Sequence, residues 1–341
     1  MISRRAFVAS AGALLLGVRR SAAQDSPAII RPPLDGVTRR MSELAQDGPF
    51  IYPAAPSLFN GDSARYYLFM PKTFRSARLI VFSHGALADP LSYRDLLFHW
   101  ASHGFVVAAP LHDDAILEGG PTLRSPKVGA VSEWNVAQLL EDPEAWKSRV
   151  DRCIECIEIA QEIAHTGGFE LVTDRIIVAG HGYGAFTTQL LMGTQVTGPS
   201  GAKLNFRDSR FFAGICMSTQ GPGIMGLDDA SWKEVTSPML HMLSEGDDDF
   251  TGQDWQTRSK AFSLSSPGYK HLAMIRKGGS NLFTKGKEVN PTNSMTGYLS
   301  VKAITACFNK AYGDYDADAY GNLSDDFFER NSNGFMVEYR R

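Results

Sequence analysis

The residues with the clearest chemical potential lie in a glycine-rich turn, GHGYG at positions 180–184. A short apolar run at 176–179 precedes the turn, and a run with helix-forming character begins near Tyr183. In the turn pattern G-x-S-x-G, the central serine is held exposed between a strand and a helix, where its hydroxyl can attack a carbonyl carbon. The central position here is Gly182, so the turn has no side chain that could attack.

Two further groups follow apolar runs of the same kind. His84, Gly85 and Ala86 come after the run at 79–82, and Asp247 and Asp248 follow the run at 238–243. If these runs are parallel strands, their carboxyl ends meet at one edge of a sheet, where such sheets bind ligands. The loop at 84–86 is interpreted as a donor of backbone N–H groups, although an ordinary strand-to-helix loop would look the same. The aspartates are candidates for a buried acid, with a solvated acidic turn as the alternative.

The elements that would position these groups alternate along the chain. Strands are expected at 64–70, 79–82, 105–109, 176–179, 211–217, 238–243 and 269–275, and helices at 92–102, 143–165, from 183, and at 297–312. Short strands alternating with helices predict an α/β fold, a doubly wound, mostly parallel sheet with helices on both faces. Residues 24–341 are expected to form one domain, with a loop or small cap excursion near 111–142.

Five sequence motifs, in this order along the chain, carry a resemblance to a known family. They are VFSHG at 81–85, YRDLLFHWASHGFVVAAPLHDD at 93–114, WKSRVD at 146–151, VAGHGYGAFTTQLLMG at 178–193 and FFAGICMSTQGPG at 211–223. The chain resembles the α/β-hydrolase superfamily, in particular bacterial dienelactone-hydrolase-like and platelet-activating-factor-acetylhydrolase-like esterases. The resemblance covers most of residues 60–312. It implies the α/β-hydrolase fold and an ancestral Ser-His-Asp mechanism with an oxyanion hole.

The resemblance assigns a position to each catalytic part. Gly182 stands at the nucleophile position, Asp247 at the acid position with Asp248 as the alternative, and Asn281 at the base position. Asparagine can form hydrogen bonds but cannot accept a proton near neutral pH. The oxyanion and pocket residues are then His84, Gly85, Ala86, His181 and Tyr183, with the N–H groups of Ala86 and Tyr183 as the two donors.

Other polar residues are weaker candidates for chemistry. Ser218 and Ser280 are alternative nucleophiles, but neither has an evident histidine partner. The only histidine near the base position is His271, which begins a strand at the opposite edge and is expected to pack there. His112, Asp113 and Asp114 follow a strand and belong to the family framework, so no metal and no cofactor is expected. The four cysteines are expected to be buried free thiols, with a disulfide as the alternative: Cys153, Cys156, Cys216 and Cys307.

The first 23 residues resemble a twin-arginine export signal. Arg4 and Arg5 precede an apolar run at 7–18, and the small residues 21–23 form a cleavage site. A periplasmic or secreted location is therefore expected. The formal net charge of −3 and the lack of a long basic run give no reason to expect a nucleic acid partner, and no membrane span is expected.

The sequence therefore favours an exported α/β-hydrolase-fold protein that has lost ester hydrolysis and keeps a pocket for a small ester-like or acyl ligand, or for a protein partner. One alternative is an active carboxylesterase or lipase-like hydrolase that uses an unorthodox nucleophile. Another is a purely structural role in binding a partner.

Overall fold

A computed structural model describes residues 41–62, 64–115, 133–247, 251–276, 278, 282–284, 291–323, 327–331 and 336–340. Within these ranges the chain forms eleven strands, which are numbered in chain order. They are β1 (Ser57–Asn60), β2 (Arg65–Phe69), β3 (Ser76–Ser83), β4 (Phe105–Pro110), β5 (Glu170–His181), β6 (Val196–Thr197), β7 (Lys203–Leu204), β8 (Phe211–Met217), β9 (Met239–Ser244), β10 (Lys270–Ile275) and β11 (Met336–Arg340).

Nine of these strands form one mixed sheet in the order β1-β2-β4-β3-β5-β8-β9-β10-β11. The six strands from β4 to β10 pair in parallel, whereas β1, β2 and β11 add antiparallel pairs at the two edges. Strands β6 and β7 pair as a separate small antiparallel ribbon. The strand β5, which carries the turn at 180–184, lies at the centre of the large sheet.

The helices cover both faces of the sheet. In chain order they are α1 (Met41–Leu44), α2 (Arg94–Ser102), α3 (Glu133–Leu140), α4 (Pro143–Gly167), α5 (Tyr183–Leu191), α6 (Trp255–Ser263), α7 (Pro291–Gly313), α8 (Ala317–Asn322) and α9 (Phe327–Asn331), with a 3-10 turn at Pro90–Tyr93. No helix in the described ranges is long and apolar enough to cross a membrane.

Alternation along the central strands produces two hydrophobic cores. Ile80 and Phe82 of β3 belong to the core under α2 and α7, whereas Leu79 and Val81 belong to the core under α4 and α5. Successive side chains of a strand point to opposite faces, so a run that is apolar at every position is buried on both sides. This arrangement confirms the predicted α/β fold with a mostly parallel, doubly wound sheet.

The long helix α4 has clear local signals at both ends. The Asp142 side chain accepts a hydrogen bond from the Glu144 N–H, and Pro143 occupies the first turn. Gly168 ends the helix in the left-handed conformation at φ 70°. These are the residues that favour helix starts and stops, because they satisfy end N–H groups and accept positive φ. The helix thereby holds Arg149 in a fixed place against the sheet.

The structure also contains elements that were not expected from the sequence. β1, β11 and α6 were not predicted, and α3 lies inside the stretch 111–142 that was expected to be irregular. The edge strands are short and receive only one paired neighbour each, so their sequences carry little of the continuous apolar signal that marks the buried strands. Residues 116–132 of the expected cap lie outside the described residues.

Candidate functional site

Gly182 lies at the carboxyl end of β5, directly before α5, in a backbone conformation with φ 55° and ψ −113°. Its N–H donates to the Met217 carbonyl oxygen at 2.9 Å, and its carbonyl accepts from the Phe186 N–H at 3.1 Å. Positive φ favours glycine, and a residue with a Cβ would be strained there. Yet a Cβ added at Gly182 would meet no atom of the described residues within 4 Å, its two chain neighbours aside, so these residues leave space for a side chain at the nucleophile position.

The two outer glycines of the turn are fixed by contacts instead. A Cβ at Gly184 would stand 1.9 Å from the Ser83 carbonyl oxygen, and a Cβ at Gly180 would stand 2.1 Å from the Gly184 carbonyl oxygen. Both distances are far below van der Waals contact with backbone atoms that cannot swing aside. The turn therefore packs directly on the end of β3, and the loop at 84–86 begins beside Gly182.

Two backbone N–H groups around the loop at 84–86 are held by side chains. The Gly85 N–H donates to the Tyr93 hydroxyl at 3.1 Å, and the Leu87 N–H donates to Asp114 Oδ2 at 3.1 Å. Among the residues that the structure describes, no acceptor is found for the N–H of Ala86 between them, nor for that of Tyr183 at the start of α5. These two groups are the donors expected for an oxyanion hole.

The buried side chain of Arg149, in α4, holds the loop at 84–86 in place. Its Nη2 donates to both carboxylate oxygens of Asp114, at 2.9 Å and 2.8 Å, and its Nη1 donates to the His84 carbonyl oxygen at 2.8 Å. The guanidinium carbon lies 4.2 Å from the centre of the Tyr183 ring. Arg149 and Asp114 are both buried. The ion pair thus ties α4, the loop and the start of α5 into one unit, through fixed forked hydrogen bonds that lysine could not make.

His84 and His112 belong to the same buried network and do not face solvent. His84 Nε2 accepts from the His112 N–H at 3.1 Å, so its proton is assigned to Nδ1, which donates to the Gly85 carbonyl oxygen at 2.8 Å. Burial, followed by the nearby Arg149 charge, lowers the pKa of His84 to about 4. Burial also holds the pKa of His112 well below its usual range. Both histidines are therefore neutral. The buried His84 side chain stabilises the loop through its hydrogen bond to the Gly85 carbonyl oxygen.

His181 precedes Gly182 and lies at the side of the turn. Its Nδ1 is 2.8 Å from the Tyr93 hydroxyl, the same oxygen that accepts from the Gly85 N–H. The His181 ring centre also lies 5.4 Å from that of Phe283, which follows β10. The loop after β3, the turn after β5 and the segment after β10 therefore meet around this residue.

Asp247 follows β9 at the same edge of the sheet, and its side chain is buried beside an arginine. Asp247 Oδ2 accepts from the Ser218 hydroxyl and from Arg258 Nη1, the latter at 3.2 Å. The side chains of Asp247 and Arg258 are 2% and 1% exposed. The carboxylate is therefore not the solvated acidic turn that the sequence left open. Asp248 lies outside the described residues.

The other residues that the sequence suggested for chemistry have different surroundings. Asn281 and Ser280 lie outside the described residues. His271 is buried within β10 between the hydroxyls of Tyr312 and Tyr339, at 2.7 Å and 3.0 Å, as expected for a packed residue. The Ser218 hydroxyl donates a hydrogen bond to Asp247.

The four cysteines are buried and free. Burial raises the pKa of Cys153 to about 12 and holds the pKa of Cys156 well above its usual range.

The residues in the described ranges offer no cluster of three or more histidine, cysteine, aspartate or glutamate side chains that could hold a metal ion. Asp114 is bound by Arg149, and Asp113 pairs with Arg152 at 2.5 Å. The aspartates after β4 are therefore ion-pair partners of α4.

Sequence analysis missed three residues that organise this region: Tyr93, Arg149 and Arg258. Arg149 had a readable signal, because it lies between Trp146 and Val150 on the apolar side of a helix, where an arginine is rarely buried without an acidic partner. Arg258 had none, because α6 was not predicted and its hydropathy pattern is weak.

Comparison with known proteins gives a distant hydrolase relationship. No model of a known protein family matches the chain. The chain is similar to a platelet-activating factor acetylhydrolase of Canis lupus familiaris, with 24% identity over 192 residues, 49% of this chain and 40% of that protein. The chain therefore spans less than half the length of this curated relative. Together with the mostly parallel sheet and its helices, the similarity indicates a hydrolase-like relative and an α/β fold.

Proposed function

We propose that this chain is a non-catalytic relative of the α/β-hydrolase esterases, which has lost Ser-His-Asp ester hydrolysis and uses the remaining site to bind a small acyl or ester-like ligand. The observation that carries the proposal is the state of Gly182. The residue keeps the positive-φ conformation of a nucleophile turn, at φ 55° and ψ −113°, and no atom of the described residues outside its chain neighbours lies within 4 Å of where a Cβ would be. This turn geometry, without a side chain that could attack, supports a binding role in place of hydrolysis.

The backbone N–H groups of Ala86 and Tyr183 support a binding role. Two donors without acceptors in the described ranges, one of them at a helix start, suit a carbonyl or carboxylate oxygen. Binding of this kind needs no base and no nucleophile. The curated relative is named as an acetylhydrolase, and this likeness supports an acyl group as the bound part of the ligand.

The state of the other triad positions supports the loss of hydrolysis. Asn281, at the base position by resemblance, cannot take a proton from a nucleophile near neutral pH. The alternative of an unorthodox nucleophile gains little from Ser218, because its side chain is fully buried and its hydroxyl donates to a carboxylate. A serine needs a neighbouring base to become nucleophilic.

We further propose that the protein is exported through its amino-terminal segment. The proposal rests on Arg4, Arg5 and the following apolar run. Changing both arginines to lysine should leave the chain in the cytoplasm of a bacterial host, as followed by fractionation. An unchanged distribution would contradict export by this signal.

The binding proposal is tested by titration calorimetry with hexanoate and methyl hexanoate, with 1-hexanol as a ligand that lacks the carbonyl. Gly182→Leu fills the open space, and Gly201→Leu is the matched control, because Gly201 also has positive φ, at 80°, and open surroundings but lies in a remote turn. We expect carbonyl-containing ligands to bind, and Gly182→Leu alone to weaken them at least about tenfold, which corresponds to 1.4 kcal/mol. Equal binding by both variants would contradict the proposed site.

A further inference from the structure

Leu87 has a backbone conformation that leucine rarely adopts. Its φ is 56°, whereas the φ of Ala86 is negative. The Ala88 N–H donates to the Gly85 carbonyl oxygen at 3.3 Å, which closes a turn at 85–88. Negative φ at the second residue and positive φ at the third is the pattern of a type II turn, whose third position favours glycine. The chain therefore holds backbone strain at Leu87.

A turn of this kind has a second form that would relieve the strain. Reversal of the peptide unit between Ala86 and Leu87 gives a type I turn, in which the third residue has negative φ and most residues are accommodated. The start of the turn need not move, because the Gly85 carbonyl oxygen is held by His84 Nδ1 at 2.8 Å and by Arg149 Nη2 at 3.4 Å. A specific contact must therefore hold the peptide unit 86–87 in the strained orientation.

Asp114 supplies that contact. Its Oδ2 accepts the Leu87 N–H at 3.1 Å, and its two buried carboxylate oxygens accept from Arg149 Nη2 at 2.9 Å and 2.8 Å. A reversed peptide unit would turn the Ala86 carbonyl oxygen towards this carboxylate in place of the N–H. Two acceptors would then face one another in the interior, where an unmet hydrogen bond is costly. The carboxylate therefore favours the observed orientation.

The ion pair and the side chain at position 87 both support this arrangement. Burial acts to raise the pKa of Asp114, but the Arg149 charge and the hydrogen bonds from Arg149 and Leu87 outweigh it, so the pKa lies below its usual value. The half-buried Leu87 side chain packs against the core under α4 and α5. Burial of its apolar surface offsets part of the strain, which explains why the position is not glycine.

We propose that Asp114 is the positioning residue of the turn at 85–88. Its carboxylate holds the peptide unit 86–87 in the orientation that binds the Leu87 N–H and leaves the Ala86 N–H as the donor of the loop. Arg149 acts through Asp114, because it fixes the carboxylate and keeps it charged. The consequence for a bound carbonyl group rests on the proposed function, whereas the orientation of the turn does not.

The test compares glycine with alanine at position 87 by urea unfolding, in the unchanged background and with Asp114→Ala. Leu87→Gly and Leu87→Ala both remove the packed part of the side chain, so this loss cancels in the comparison. At positive φ the glycine chain should have a folding equilibrium constant at least about threefold larger. With Asp114→Ala the peptide unit can reverse, and the ratio should fall to about one or below, because alanine is favoured at negative φ. An unchanged ratio, or a ratio below one in the unchanged background, would overturn the inference.

Tyr269 provides the matched control. Its φ is also 56°, and it lies directly before β10, at the opposite edge of the sheet. The ratio between Tyr269→Gly and Tyr269→Ala should be the same with and without Asp114→Ala. If Asp114 served only to pair with Arg149, its loss would lower the stability of the glycine and alanine chains equally at both positions. A change of the ratio at position 87 alone supports the inference, and equal changes at both positions overturn it.

If Asp114→Ala does not fold, the N–H group itself is removed while the ion pair stays in place. The α-hydroxy analogues of alanine and glycine at position 87 replace the N–H by an ester oxygen, and the ratio between these chains should again fall to about one or below. A ratio that is retained would overturn the inference. None of these measurements uses a ligand. Failure of hexanoate to bind would defeat the proposed function and leave the ratios intact, and unchanged ratios would do the reverse.

Discussion

A Cβ atom at Gly184 would stand 1.9 Å from the carbonyl oxygen of Ser83. The turn after β5 and the end of β3 are therefore in backbone contact, and the distance between the loop at 84–86 and Gly182 is set by that contact. At Gly182, two residues earlier, no atom of the part of the chain that the structure describes, apart from the two chain neighbours, lies within 4 Å of the Cβ position. The two glycines have different physical reasons for being glycine, and substitution should separate them.

Gly184→Ala should destabilise the fold severely, by more than about 4 kcal/mol, because the backbone at the start of α5 and that at the end of β3 must move apart. Gly182→Ala should cost only about 1–3 kcal/mol, the strain of a positive φ for a residue with a Cβ. Urea unfolding of both variants checks the difference. Similar losses would mean that the turn does not pack on β3 as described.

A serine placed at the nucleophile position should not by itself give esterase activity. Gly182→Ser fits the open space, but we expect it to remain nearly inert on p-nitrophenyl esters because no base is present to take its proton. Gly182→Ser combined with Asn281→His should gain measurable turnover. The rate should stay modest, since catalytic groups act as a unit. Full activity from the single change would show that Asn281 is not the base position.

The loop at 84–86 should depend on the buried ion pair of Arg149 and Asp114. Arg149→Met leaves the Asp114 carboxylate without the cation that binds both its oxygens. Loss of one partner of a buried pair costs about 3–5 kcal/mol. Adding Asp114→Asn should recover part of the loss in chemical unfolding. As a surface control, Lys147→Met removes an exposed pair with Asp151 and should change stability by less than about 1 kcal/mol.

Stability should fall as the pH is lowered, because buried histidines are kept neutral. Burial, aided by the Lys270 charge, lowers the pKa of His241 to about 3, whereas an unfolded histidine titrates near 6.5. Above that value neither state is protonated at this residue. Below it only the unfolded chain gains a proton, so stability is lost as the pH falls from about 6.5 towards 3.

For His241 alone the loss between pH 7 and pH 5 should be about 2 kcal/mol. His241→Gln should therefore show a smaller loss over the same interval than the unchanged protein, as measured by urea unfolding at both pH values. The buried His84 and the half-buried His103 also have lowered pKa values and act in the same direction. Identical losses in the two proteins would contradict a neutral, buried His241.

The central sheet and the turn could be predicted from sequence for two physical reasons. Strands such as β3 and β4 are buried on both faces, so their residues form continuous apolar runs, and the outer turn glycines, Gly180 and Gly184, are fixed by contacts that tolerate no Cβ. The positions of Gly182, Ala86 and Asp247 along one edge follow from the order of these strands. Each signal is local and can be read from a few neighbouring residues.

The partners of the site residues could not be predicted in the same way. Asp114 and Arg149 are 35 residues apart, and Tyr93 and His181 are 88 apart. Nothing in either local sequence specifies the other member. Asp247 was expected near the site from its place after a strand, but a sequence shows which carboxylate is present and does not show which cation lies beside it. Because α6 was not predicted from the sequence, Arg258 was not identified as a partner of Asp247.

The central claim is that the site binds but does not hydrolyse, and turnover by the unchanged protein tests it most directly. Purified protein should be assayed on p-nitrophenyl butyrate beside a heat-denatured sample, with and without a fluorophosphonate that labels active serines. We expect the same rate in all samples and no labelling. Hydrolysis above the denatured sample that the fluorophosphonate abolishes would contradict it.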